Sequence, residues 1–212
     1  AGKKVILVNC SGSPVGLVPE TASCQAILQA WYPGQAGGKA VADVLFGEYN
    51  PSGKLPVTFY KNVNQLPDFE DYNMTGRTYR YFEGEPLYAF GHGLSYTTYT
   101  YGEVQAPATA KTDETIVVSV PVTNSGNMDG DEIVQLYLKK KGDEEGPIKT
   151  LRAFKRVHIP AGQTVNVELE LTPSQLEWWN PATNSMNTHA GNYEVMVGGN
   201  SKDVKSVEIA LQ

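Results

Sequence analysis

This chain has few cysteines, no long apolar run and no excess of basic charge. Two cysteines among 212 residues, Cys10 and Cys24, cannot build the dense disulfide framework of a small secreted domain, and free thiols are favoured over a pair. No apolar stretch approaches the roughly 20 residues that a transmembrane helix needs. Seventeen basic against 23 acidic residues give a formal net charge of -6, which repels nucleic acid and anionic membranes. We therefore expect neither as a partner.

The usual sequence signals of metal, nucleotide and triad chemistry are missing as well. His92, His158 and His189 are scattered, with no second ligand at metal-binding spacing. The glycine-rich stretch 34–39 has its lysine at the wrong spacing for a phosphate-binding loop, and no serine stands in a nucleophile elbow. The sequence predicts no metal ion and no cofactor.

The first 60 residues have an α/β pattern. Val5 to Val8 is continuously apolar and mostly β-branched, which is typical of a strand covered on both faces in a parallel sheet. Apolar spacing predicts one helix from Pro19 to Trp31 and a second over 39–46, closed by Gly47. Leu55 to Phe59 is β-prone and predicts one more strand.

These few elements cannot give the first strand the parallel neighbours that its composition demands. We therefore interpret residues 1–60 as the C-terminal part of a larger α/β-sandwich domain. We expect residues 1–60 to show less hydrogen-exchange protection than the β-rich half.

The rest of the chain changes character twice. Residues 61–94 are rich in Pro, Gly, Asp, Asn and aromatics without periodicity, which predicts an ordered crossing segment. From residue 95 to 212, short β-runs alternate with turn residues and predict a fibronectin type III-like β-sandwich, an immunoglobulin-like architecture. The seven predicted strands are Thr97 to Val104, Ile116 to Val122, Ile133 to Lys139, Leu151 to Ile159, Val165 to Leu171, Tyr193 to Val197 and Val204 to Leu211.

Three stretches carry a family resemblance. They are AILQAWYPGQAGGKAVADVLFGEYNPSGKLPVTF over 26–59, GRTYRYFEGEPLYAFGHGLSYT over 76–97 and AGNYEVMVGGNS over 190–201. In this order they resemble signatures of family-three glycoside hydrolases, the β-xylosidase and β-glucosidase type. Asp71-Tyr72 followed by Gly76 to Tyr81 looks more like the xylosidase branch than the glucosidase branch.

The resemblance implies that the chain is the C-terminal portion of an exo-acting retaining β-glycosidase, which hydrolyses terminal sugars of plant-type oligosaccharides. In such a parent enzyme a missing N-terminal barrel domain carries an aspartate nucleophile, and the α/β-sandwich domain carries or helps place the acid/base glutamate, with both positions outside this chain. We accordingly assign no catalytic residue here and expect the fragment alone to be inactive, acting as a structural brace and pocket wall. The family also favours a periplasmic or secreted location, although the chain itself carries no signal for one.

Four residues of the crossing segment are predicted to bind substrate. Arginine donates forked hydrogen bonds to hydroxyls, and tyrosine offers a flat apolar face and a phenol, so Arg77, Tyr79, Arg80 and Tyr81 are the candidates. The competing interpretation is that these side chains lock two domains together by packing.

Other conspicuous residues are given simpler interpretations. Trp31-Tyr32 and Trp178-Trp179 are expected to fill the core or an inter-domain surface rather than to stack on sugars, and His92 is expected to be a turn residue. The acidic groups are expected to be solvated loop charges, with Asp129, Asp131 and Glu132 in a strand connection; the remaining ones are Glu83, Glu85, Asp68, Glu70 and Asp71.

A different class of function stays open. The sandwich and its aromatics also suit a non-catalytic carbohydrate-binding or adhesive module.

Overall fold

The computed structural model describes residues 2–212, and its first unit combines two parallel strands with two helices. Pro19 lies in the first turn of the first helix, where its fixed φ and missing N–H are tolerated. The α/β character predicted for this part of the chain is confirmed. The elements are β1 (Ile6–Asn9), α1 (Val18–Ser23), β2 (Ala26–Gln29) and α2 (Gly37–Leu45).

The single helix predicted from Pro19 to Trp31 is wrong beyond Ser23. Ala26–Gln29 is a strand that pairs in parallel with β1. Flanking main-chain bonds extend the pairing, since the Gln25 N–H donates to the Val5 carbonyl at 2.9 Å and the Ala30 N–H to the Asn9 carbonyl at 2.9 Å. Pairing with a distant strand therefore overrides the helical spacing of the local apolar residues.

The β1–β2 sheet is open. Within residues 2–212, β1 pairs with β2 alone, in a two-stranded sheet. The apolar side chains at its start, Val5 and Ile6, are 48% and 50% exposed. The expectation that this strand lacks a full set of neighbours is confirmed for the described residues.

The strand predicted for Leu55 to Phe59 does not form. Pro56, the second residue of this run, has no main-chain N–H to donate to a neighbouring strand. The Leu55 N–H donates to the His92 carbonyl at 2.8 Å. The Phe59 N–H donates to the Tyr88 carbonyl at 2.9 Å, and these two residues form an isolated bridge. Residues 55–59 are thus tied to the end of the crossing segment.

The crossing segment is ordered but mostly irregular. It contains one 3₁₀ turn, Val63–Gln65, and one short helix, α3 (Thr78–Tyr81). None of the helices described in residues 2–212 has the length and apolar character that a bilayer crossing requires.

Two sheets face each other in the second unit. One has five strands in the order β4-β12-β11-β6-β7, the other has three in the order β3-β5-β8, and β9 and β10 form a separate hairpin. Each of the seven predicted runs contains a strand, whereas β4, β9 and β10 were not predicted. The bounds are β3 (Tyr99–Tyr101), β4 (Thr109–Ala110), β5 (Ile116–Asn124), β6 (Gly130–Lys140), β7 (Thr150–Ile159), β8 (Thr164–Leu171), β9 (Trp178–Asn180), β10 (Ser185–Asn187), β11 (Gly191–Gly198) and β12 (Val204–Leu211), with a 3₁₀ turn at Pro173–Leu176.

Alternation along the strands builds the sandwich core. Val118 and Val120 on β5 stand opposite Leu169 and Val167 on β8, and all four are buried. The residues between them, Ser119 on β5 and Glu168 on β8, are polar and point the other way, so one face of the three-stranded sheet packs inward and the other meets water.

Strand β6 departs from this alternation because it is buried on both faces. Leu136 and Leu138 join the core, yet Tyr137 between them is also buried. Tyr79 and Phe90 of the crossing segment cover the Tyr137 ring, with centroid distances of 5.8 and 6.4 Å. The crossing segment therefore packs on the outer face of the five-stranded sheet.

Candidate functional site on the crossing segment

Tyr79 is the main anchor of α3 on the sandwich. Its ring stacks on Phe90 with centroids 4.2 Å apart and an interplanar angle of 23°. Its hydroxyl accepts a hydrogen bond from the Leu151 N–H at 3.0 Å. Tyr79 thus contributes packing area and a polar bond to the same interface.

Arg80 adds a main-chain contact with the sandwich. The Arg80 carbonyl accepts a hydrogen bond from the Ile148 N–H at 2.7 Å. The Arg80 guanidinium lies 5.6 Å from the centroid of the Tyr81 ring, within the range of a cation–π contact. Its buried Nε–H has no hydrogen-bond partner among the described residues, which leaves one donor unused.

Arg77 shapes the loop that precedes α3. Its Nη2 donates to the carbonyls of Asp68 at 2.8 Å and Asp71 at 2.6 Å, and its Nε donates to the Asn73 carbonyl at 3.2 Å. We call residues 68–74 the aromatic loop. The Arg77 guanidinium therefore binds the main chain of the aromatic loop at three carbonyls.

The entry to α3 is strained. Thr78 has φ of 56°, a left-handed conformation that is unfavourable for a β-branched residue. Its N–H donates to the Tyr60 hydroxyl at 2.7 Å, and the Tyr60 ring meets Phe82 edge-on at 5.0 Å. Such a conformation persists only where surrounding contacts over-determine it.

The aromatic loop displays its rings to solvent. Phe69 is 94% exposed and Tyr72 is 92% exposed. Hydrogen bonds from the Asn73 main chain and side chain, with a lesser contribution from the charge of Arg77, hold the pKa of Asp71 below its usual range. The sequence interpretation named Tyr72 only as part of the family resemblance and did not mention Phe69, so it overlooked these two exposed rings.

A buried ion pair joins the two units. Lys54 Nζ lies 3.2 Å from both carboxylate oxygens of Glu132 and donates to the Gly93 carbonyl at 3.3 Å. The Tyr101 hydroxyl donates to Glu132 at 2.8 Å, and burial together with this carboxylate raises the pKa of that phenol.

The expectation that Glu132 is a solvated loop charge is wrong. Asp131 and Glu132 both lie within β6, not in a strand connection, and Glu132 is 3% exposed. A carboxylate this deeply buried needs a charged or hydrogen-bonding partner. Lys54 supplies it from 78 residues away in sequence, a pairing that no local pattern reveals.

Asp131 organises a second, more exposed link. Its carboxylate accepts hydrogen bonds from Arg156 Nε at 2.7 Å and contacts His158 Nδ1 at 2.7 Å. Arg156 also donates to the Tyr49 hydroxyl of the first unit at 2.9 Å. The bonds to His158 and Arg156 hold the pKa of Asp131 below its usual value.

An apolar cleft of about 560 Å³ opens between the β1–β2 sheet, α2 and the crossing segment. A row of rings lines it, with centroid distances of 6.2 Å from Trp31 to Phe59, 6.2 Å from Phe59 to Tyr88 and 5.0 Å from Tyr88 to His92. His92 is therefore a half-buried, stacked ring rather than only a turn residue, and burial, followed by Lys54, lowers its pKa.

Two of the other acidic groups make contacts of their own. Asp68 accepts the Glu70 N–H at 2.9 Å, and Glu85 forms an ion pair with Lys202. In the part of the chain that the structure describes, no group of three His, Cys, Asp or Glu side chains is placed to hold a metal ion. The two cysteines are free thiols.

Comparison with known proteins identifies the chain's relatives. The model of the glycosyl hydrolase family 3 C-terminal domain matches residues 1–96, and that of the fibronectin type III-like domain matches residues 132–201. The chain is 56% identical over its whole length to a xylan 1,4-beta-xylosidase of Xylanibacter ruminicola, of which it covers 24%. It is 38% identical over 99% of its length to a periplasmic beta-glucosidase of Salmonella typhimurium, of which it covers 29%.

Solved structures agree. A β-glucosidase from Erythrobacter marinus superimposes with a TM-score of 0.85 and 38% identity, over 98% of this chain and 28% of that one. The chain thus has the fold of the C-terminal part of sugar-cleaving hydrolases and spans about a quarter of the length of the relatives it matches. It belongs to glycoside hydrolase family 3.

The buried ion pair yields a stability prediction. Lys54→Met leaves the Glu132 carboxylate buried without its counter-charge, so we expect the free energy of unfolding to fall by about 3–5 kcal/mol. The double variant Lys54→Met/Glu132→Leu removes both charges and recovers most of that loss. Urea unfolding of the three proteins measures both effects.

Lys39→Ala is the matched control for the ion-pair prediction. It breaks an exposed pair with Asp43 in α2, and such pairs contribute about 0.5 kcal/mol or less. If Lys54→Met lowers the free energy of unfolding by no more than Lys39→Ala does, the assigned role of the buried pair is contradicted.

His92 yields a pH prediction. Folding lowers its pKa below the ordinary value of 6.5, so the unfolded chain binds the proton first as the pH falls. Stability is therefore unaffected by His92 well above pH 6.5 and decreases as the pH drops through and below that value. His92→Phe keeps a ring against Tyr88 and should flatten this decrease, as measured by urea unfolding at pH 7.5 and pH 5. If the free energy of unfolding falls as steeply between pH 7.5 and pH 5 in His92→Phe as in the wild type, His92 is not the source of the pH dependence.

Proposed function

We propose that this chain is the C-terminal part of an exo-acting retaining β-glycosidase that removes terminal sugars from plant-type oligosaccharides. Retaining hydrolysis needs two carboxyl groups roughly 5–5.5 Å apart, one as nucleophile and one as acid and then base. We place both in parts of a longer protein, including a barrel domain. Membership of family 3 and the xylosidase and glucosidase names of the relatives support this assignment.

The chain's own task is that of a structural brace. The observation that carries this proposal is the open β1–β2 sheet beside the apolar cleft, joined to a complete sandwich by the buried Lys54–Glu132 pair. Another segment of the longer protein that covers this sheet would bury the exposed Val5 and Ile6 side chains. The sandwich would then hold the completed unit in place.

The crossing segment is proposed to form one wall of the substrate pocket. Arg77, Tyr79, Arg80 and Tyr81 stay the predicted substrate-binding residues. Their contacts with the sandwich and the aromatic loop support a second, positioning contribution from the same side chains. The domain limits 1–60, 61–94 and 95–212 likewise remain a proposal.

β-Xylosidase activity is proposed over β-glucosidase activity. The Asp71-Tyr72 and Gly76 to Tyr81 pattern and the 56% identity to a xylan 1,4-beta-xylosidase support this preference. A periplasmic or secreted location is proposed from a relative that is named periplasmic.

A non-catalytic carbohydrate-binding or adhesive module is the alternative. Trp179 supports it, since this ring is 57% exposed on the β9–β10 hairpin opposite Met186. Trp178, next to it, is buried against Tyr193, so only one ring of the pair is available to a glycan.

Activity of the longer protein tests the leading proposal. We expect it to hydrolyse aryl β-xylosides with a higher kcat/KM than aryl β-glucosides and the 212-residue chain alone to hydrolyse neither. Glu132→Gln in the longer protein should lower activity in step with the thermal midpoint, because it loosens the brace. The matched control is Lys39→Ala.

The alternative predicts the reverse pattern. A longer protein without glycosidase activity, together with an isolated chain that binds xylan fragments in calorimetry, would establish the module and overturn the enzyme assignment. Hydrolysis by the isolated chain would overturn the placement of the catalytic residues.

A further inference from the structure

Phe69 and Tyr72 stand apart from the other aromatic residues of the crossing segment. Tyr79, Phe82 and Phe90 all pack on other rings, whereas Phe69 and Tyr72 are 94% and 92% exposed. Single exposed aromatics are ordinary, but two within four residues of one loop place an apolar surface in water and indicate a contact site.

The loop that carries these rings is held in one shape. Arg77 binds the carbonyls of Asp68, Asp71 and Asn73. A loop already ordered before binding loses less entropy when a ligand arrives.

The groups beside the two rings suit a neutral, hydroxyl-rich ligand. The Glu70 carboxylate has no hydrogen bond or ion pair among residues 2–212 and is free to accept bonds from hydroxyl groups. The carboxylates of Asp68, Glu70 and Asp71 together disfavour an anionic ligand. A sugar ring provides both a C–H face for an aromatic ring and hydroxyl donors for these acceptors.

We propose that the aromatic loop contacts the leaving-group side of a neutral oligosaccharide, with Phe69 and Tyr72 packing on sugar rings and Arg77 acting as a positioning residue. This inference rests on the proposed function. An exo-acting enzyme encloses only the terminal sugar, so the remainder of its substrate lies outside the pocket, against exposed groups of the wall.

Substrate length tests the contact. In the longer protein, kcat/KM for xylotriose is compared with kcat/KM for an aryl β-xyloside, which carries a single sugar. Phe69→Ala and Tyr72→Ala should each lower this ratio about three- to tenfold, the change expected when one aromatic packing contact is lost. Phe154→Ala on β7, where the ring is 68% exposed, is the matched control and should leave the ratio unchanged.

The outcomes separate this inference from the proposed function. A longer protein that hydrolyses neither substrate overturns both. Wild-type hydrolysis with an unchanged ratio in Phe69→Ala and Tyr72→Ala overturns the loop contact alone. A ratio that falls equally in Phe154→Ala also overturns it, because the effect is then not specific to the loop.

The role of Arg77 has its own readout. Arg77→Lys keeps the charge but loses the fork that binds several carbonyls. In the 212-residue chain we expect faster amide exchange at Glu70 and Asn73, with unchanged exchange in the sandwich core at Val118. In the longer protein, the ratio of kcat/KM for xylotriose to kcat/KM for the aryl β-xyloside should fall as it does in Phe69→Ala. Wild-type exchange in the loop would overturn the positioning role.

Discussion

The buried Lys54–Glu132 pair is the interaction on which the arrangement of the two units depends. The Glu132 side chain is buried and that of Lys54 keeps only 15% of its exposure, so the carboxylate requires the ammonium group, and Tyr101 and the Gly93 carbonyl provide further hydrogen bonds. Because Lys54 follows α2 and Glu132 lies on β6, the pair fixes the first unit against the five-stranded sheet. Asp131 and Arg156 add a second connection through Tyr49 at the surface.

The crossing segment fastens the same units a second time. Its end returns to residues 55–59 through main-chain bonds, while Tyr79 and Phe90 cover Tyr137 on the outer face of β6. That coverage accounts for a strand whose inner and outer residues are both buried. The aromatic loop lies outside this coverage, with its two rings exposed and its main chain bound by Arg77.

Patterns that repeat within one element were predictable from the sequence. The alternating valines of β5 and the valines and leucines of β8 predicted the sandwich, because alternation reports one buried face. The apolar run at Val5 to Val8 likewise predicted a strand in need of neighbours. The strand β2 and the burial of Glu132 could not be predicted. The first depends on pairing with β1 and the second on the ion pair with Lys54, and both are contacts between residues distant in sequence.

The candidate site shows the same division. Composition marked Arg77 and Tyr79 as important, because arginine and tyrosine each combine polar and planar groups. It could not reveal that Arg77 binds the main chain or that Tyr79 faces Phe90, while Phe69 and Tyr72 face solvent. Side-chain direction in an irregular segment follows from tertiary contacts rather than from a sequence period.

An open α/β unit carried by a complete sandwich is the central claim, and amide hydrogen exchange tests it most directly. Amides of β1 and β2 lie in a two-stranded sheet with an exposed apolar start, whereas those of β5 and β8 border the buried core. The account predicts that the β1–β2 amides of the 212-residue chain open with a lower free energy than the β5–β8 amides. Equal protection of the two sheets would contradict it.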